Sequence, residues 1–116
     1  VKTGSKEERA VQIYGLKNCD TCRKAAKALP QAELIDVRER PVPDDVLTRA
    51  QDAFGDALVN TRSTTWRGLD EAARQGAPLD LLRAHPALMK RPLIDDGGTL
   101  YLGWTSQVQG ALTDDA

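Results

Sequence analysis

Histidine occurs once and cysteine only twice in these 116 residues. Zinc takes four ligands, and one histidine with one cysteine pair cannot supply them, so no metal site is expected. Long apolar runs are also missing. No stretch approaches the roughly 20 residues that cross a bilayer, and no membrane role is expected. Nor does one sign of charge prevail. Sixteen basic residues meet 17 acidic ones for a formal net charge of −1, with no block of like charge. No global field exists to gather nucleic acid, so a direct nucleic-acid partner is not expected. Repeats and low-complexity segments are absent as well.

What remains is ordinary globular composition, 41% apolar and 28% charged. That supports one domain, expected over residues 10–116 as a monomer, behind a polar leader at 1–9 expected to be disordered. Val1 to Arg9 lacks the apolar core of a secretory signal, which makes the reducing cytoplasm the expected compartment. A permanent disulfide staple is disfavoured there.

"VQIYG" (11–15) alternates and breaks at glycine, a short strand. "LKNCDTCRKAAKALP" follows, with Cys19, Cys22, Ala25, Ala26 and Leu29 at helical spacing. Asn18 or Asp20 can cap its start and Pro30 stops it. "AELIDV" (32–37) reads as a second strand, which completes a βαβ unit with parallel strands. "PVPDDVLTRAQDAFG" predicts a helix with Val46, Leu47, Ala50, Ala53 and Phe54 on one face and Gly55 as its stop. Residues 56–89 read as irregular helix, with Ser63 as a cap and Pro86 as an interruption. "RPLIDDGGTLYLGW" is a hairpin around Asp96-Gly97-Gly98, and "TSQVQGAL" a last helix. The order βαβ, helical block, ββα is an α/β, thioredoxin-like (glutaredoxin-like) arrangement on a central mixed sheet, with the helical block inserted between the halves.

The pair Cys19-x-x-Cys22 sits at the mouth of the first helix. Unsatisfied N–H groups and the helix dipole favour thiolate there, and thiolate is the nucleophile. Cys22 lies one turn below, within reach of a disulfide. Arg23 falls on the Cys19 side of the helix, can add positive charge and is a candidate anion- or substrate-binding residue, whereas Asp20 works against it. Two free cysteines can also be plain core packing. Helix-start placement beside a βαβ unit favours redox chemistry. His85 reads as an ordinary helix-end residue, and Trp66 and Trp104 as packing residues.

"VQIYGLKNCDTCRKAAKAL", "LVNTRSTTWRGL" and "HPALMKRPLIDDGGTLYLGW" resemble the three signature blocks of the ArsC/Spx family, in particular its bacterial YffB-like branch. The resemblance runs from Val11 nearly to the end of the chain and implies the same thioredoxin-like fold. It implies Cys19 as the reactive cysteine, Arg62 and Arg91 as two of three oxyanion-binding arginines, and Pro92 as a cis-proline beside the active cysteine. Gly103 falls where the third arginine belongs. Gly15 replaces the histidine that arsenate-reducing relatives carry, so arsenate is not the expected substrate. The expected function is a thiol-disulfide oxidoreductase with no bound cofactor. Glutathione or a thioredoxin-type reductant serves as co-substrate, acting on glutathione adducts or another small oxidised substrate. The alternative is a redox-sensing regulator of the Spx type, whose partner is the RNA polymerase α subunit.

Overall fold

The computed structural model describes residues 11–113, so the leader expected at 1–9 lies outside the described residues. The chain divides into two compact units. The first joins the segment up to Asp36 with the segment from Arg91 onward, and the second runs from Val37 to Lys90.

The first unit is built on a four-stranded mixed sheet. Its strands are β1 (Val11–Gly15), β2 (Glu33–Asp36), β3 (Leu93–Asp96) and β4 (Thr99–Leu102), in the order β2-β1-β3-β4. β1 pairs parallel with β2, Gln12 opposite Glu33 and Gly15 opposite Asp36. It pairs antiparallel with β3, Ile13 opposite Ile94. β2 is shorter at both ends than the 32–37 expected from apolar content. β3 and β4 close through Gly97 and Gly98, whose φ values of 60° and 107° suit a two-residue hairpin loop. Asp95 Oδ1 accepts the Gly98 N–H at 2.8 Å and fixes that loop.

Between β1 and β2 runs α1 (Asp20–Ala28), whose Cys22 and Ala25 are buried. The chain closes on α6 (Ser106–Thr113), where Thr105 Oγ1 accepts the Val108 N–H at 3.2 Å as an N-terminal cap. Val11, Ile13, Ala25, Ile94 and Leu112 form one core cluster, with Leu29, Leu34, Tyr101, Trp104 and Val108 packed against it. Trp104 is thus a packing residue. Because alternate strand residues share a face, Gly15 lies on the face of Val11 and Ile13, which α1 covers.

The second unit is the inserted helical block. It holds α2 (Asp44–Phe54), α3 (Thr64–Arg67), α4 (Glu71–Arg74) and α5 (Pro78–Ala84), with 3-10 turns at Gly55–Leu58 and Pro86–Leu88. Val46, Leu47 and Ala50 are buried on α2, whereas Ala53 is exposed and Phe54 half-buried. The apolar face fades because the helix ends there, at Gly55 with φ 59°. Ser63 Oγ caps α3 by accepting the Trp66 N–H at 3.1 Å, and Asp70 Oδ1 caps α4 through the Ala73 N–H at 2.8 Å. His85 terminates α5. A bridge between Val59 and Met89 closes the block, flanked by Asn60 N–H to Leu88 O at 2.7 Å and Lys90 N–H to Leu58 O at 2.8 Å.

Candidate active site at the start of the first helix

The loop after β1 delivers Cys19 to the N-cap of α1. A backbone bond from Cys19 N–H to Leu16 O at 3.1 Å tightens it. The buried Asp36 carboxylate accepts the Lys17 N–H at 3.1 Å. Neither Asn18 nor Asp20 is the cap, as the sequence suggested. Cys19 itself has the extended φ and ψ of an N-cap, −94° and 122°. Its carbonyl accepts the Arg23 N–H at 2.9 Å and starts the helix.

The two thiols have opposite environments. Cys19 is half-exposed and Cys22 fully buried. At Cys19 burial raises the pKa, but this is outweighed by the Cys22 N–H and thiol, the Arg91 charge and the Thr21 N–H, so the thiol is more acidic than usual. No cap hydrogen bond to Cys19 Sγ is closed in this geometry. The N–H groups act as oriented dipoles near the sulfur. For Cys22 burial dominates and pushes the thiol up to about 12, reinforced by the hydrogen bond and charge of Cys19 and opposed by the Leu16 N–H and Arg91. One nucleophile and one protected thiol result.

Arg23 spends its guanidinium on Asp20 at 3.0 Å, in an exposed pair. The pair sets the expected help of Arg23 against the expected hindrance of Asp20, and the cation that acts on both thiols is Arg91. The Arg91–Pro92 bond is cis and Pro92 is fully buried. Pro92 O accepts the Gly103 N–H at 2.8 Å, which ties the turn after β4 to the proline. Gly103 has φ 85°. An arginine there would be strained, which gives glycine at this point a local reason.

Arg62 belongs to the second unit. Its N–H donates to Asn60 Oδ1 at 3.0 Å, its carbonyl accepts from Arg67 at 3.2 Å, and its side chain is exposed. Nearby, Arg74 lies over the Trp66 ring, 5.6 Å from the centroid. Asp36 was not singled out as part of this site from the sequence, and Gly15 only as the residue in place of a histidine, not for its closeness to Cys22. An acid ending an apolar strand and a lone strand glycine were the available signals. Among the described residues no cluster of three or more histidine, cysteine or acidic side chains could hold a metal, and no helix is long and apolar enough to cross a membrane.

The sequence profile of the ArsC family matches residues 14–111, a span that includes both cysteines, Arg62 and the cis-proline loop. The chain belongs to the ArsC family. A Haemophilus influenzae protein is 40% identical to this ArsC-family chain over 106 residues, covering 84% of this chain and 93% of its own. The global transcriptional regulator Spx of Bacillus subtilis is 30% identical over 105 residues, covering 81% and 79%. Among solved structures, the YFFB protein superposes with a TM-score of 0.79 at 27% identity, covering 90% of this chain and 99% of that one. An arsenate reductase (ArsC) related protein from Brucella melitensis gives a TM-score of 0.63 at 30% identity, covering 88% and 92%. The ArsC-family chain therefore has the thioredoxin-like fold of this family, and the family supports thiol oxidoreductase-like chemistry.

Proposed function

We propose that this chain is a thiol-disulfide oxidoreductase in which Cys19 attacks and Cys22 resolves. The observation that carries the reading is the contrast between a half-exposed, acidified Cys19 at a helix start and a fully buried Cys22 one turn below. The Cys19 thiolate attacks one sulfur of a disulfide or glutathione adduct, and the other sulfur leaves as thiolate and takes a proton. Cys22 then gives up its proton and displaces the adduct, forming the Cys19–Cys22 bond. A low-molecular-weight thiol of the glutathione class, or a thioredoxin-type reductant, restores the dithiol. Arg91 attracts the anionic group of the substrate while it favours the Cys19 thiolate. Arg62 is the second anion-binding residue in this reading.

Arsenate is a poor candidate. Gly15 and Gly103 stand where the reducing relatives carry a histidine and an arginine. Each missing charged contact in a closed site costs about 1.5–3 kcal/mol. Arsenate turnover with glutathione at ordinary enzyme rates would refute this.

A second reading, a redox-sensing regulator, is favoured by the 30% identity to Spx. Its partner would be the RNA polymerase α subunit. Chemical-shift mapping with glutathione and with that subunit, side by side, separates the two. The reductase reading expects glutathione to perturb residues 18–22 and 90–92 together. A response to the polymerase subunit alone would sink it.

A further inference from the structure

Nothing in the backbone obliges residue 15 to be glycine. It sits in register opposite Asp36 at the end of β1, and the glycines with positive φ are Gly55, Gly97, Gly98 and Gly103. A glycine within a strand weakens it and often marks a place where something else comes close. Here that something is Cys22. A Cβ at position 15 would fall well inside contact distance of Cys22 Sγ and 3.2 Å from Cys22 Cβ, with Leu34 Cδ1 next at 3.9 Å. Cys22 is 0% exposed. The slot it occupies exists because residue 15 has no side chain.

We propose that Gly15 is a positioning residue for the second thiol: its bare Cα opens the slot under β1 that keeps Cys22 covered, and so slows the step in which Cys22 displaces an adduct from Cys19. This rests on the dithiol reading above. In that step the Cys22 proton passes to solvent, the Cys22 Sγ–Cys19 Sγ bond forms, the Cys19 Sγ–adduct sulfur bond breaks, and the adduct departs as a thiolate that is reprotonated. The oxidant is the substrate disulfide already consumed in forming the adduct. The slot stabilises the covered, protonated thiol and thereby lengthens the life of the adduct. With alanine at 15, Cys22 must rotate out of the slot, and its sulfur becomes accessible to solvent, where the thiolate forms more readily.

The test uses the full chain with Cys19→Ser, with and without Gly15→Ala, alkylated by iodoacetamide across the pH range. Cys22 should react about tenfold faster at neutral to mildly alkaline pH in the Gly15→Ala variant, with its titration midpoint moved down toward the free-thiol value. With both cysteines present, a glutathione adduct on Cys19 should be released faster by a similar factor. Alkylation and release unchanged within about twofold would overturn the proposal. If Gly15→Ala alone does not fold, Gly15→Ala with Cys22→Ala should restore folding, since the offending sulfur is gone. Failure of that double variant to fold would also overturn it. The alkylation comparison needs no turnover, so a protein inert toward disulfides would refute the oxidoreductase reading without deciding the role of Gly15.

Discussion

At Cys19, burial raises the thiol pKa while the Cys22 N–H and thiol, the Arg91 charge and the Thr21 N–H lower it, and the lowering prevails. The pH dependence of alkylation should therefore show a midpoint below that of a free cysteine in Cys22→Ser, and no such lowered midpoint in Cys19→Ser. A low-pKa thiol surviving in Cys19→Ser would reverse the assignment. Arg91→Ala should raise the Cys19 midpoint, whereas Arg23→Ala should barely move it, because an exposed pair with Asp20 already engages that guanidinium. The cysteine pair was legible in the sequence because the motif is local. Arg91 was named as an anion-binding residue through the family resemblance, but its effect on the acidity of Cys19 was not legible. It depends on the chain returning from residue 91 beside α1, and i,i+4 spacing pointed to Arg23 instead. Asp36 escaped for the same reason, as did the closeness of Gly15 to Cys22: the Lys17 N–H and the Cys22 thiol meet these residues only once loop and helix have folded against the strands.

On the scale of single elements, caps and turns carry the expectations. Ser63→Ala removes the acceptor for the Trp66 N–H and should cost about 1 kcal/mol in urea unfolding. The cap at Ser63, the Gly97-Gly98 hairpin and the break at Pro86 were all readable, because capping hydroxyls, paired glycines and proline act through their immediate neighbours. The start of α1 was not, since a cysteine at the N-cap lies outside the usual polar set. The outer end of the α2 apolar face was misplaced too. Periodicity continues to Ala53, while burial stops where the helix runs into Gly55. Gly103→Arg would force φ 85° on a residue with a Cβ. It should destabilise by about 1–2 kcal/mol, and a gain of stability in thermal melting would contradict the strain account.

Across the whole molecule, the buried thiol links stability to pH. The folded pKa of Cys22, pushed up to about 12, lies above the unfolded value of about 8.5. The folded state therefore holds the proton longer. The stabilisation is fully present below the unfolded value and is lost as pH rises toward the folded one. Urea unfolding of the reduced protein should show this alkaline loss, and Cys22→Ala should lack that component. An identical alkaline slope in the two proteins would mean that Cys22 is not protected by burial. The mixed sheet, with its parallel βαβ half and antiparallel hairpin half, followed from element order alone. The same order cannot say which residue approaches which across the sheet.

Equilibrating the protein in glutathione buffers of graded potential and weighing the alkylated products shows whether Cys19 and Cys22 form a working redox pair. A reversible loss of two hydrogens localised to a Cys19–Cys22 bond is expected, and in Cys22→Ser a glutathione adduct on Cys19 alone. Two thiols that stay reduced at every potential, or an adduct on Cys22 with Cys19 untouched, would contradict the redox pairing.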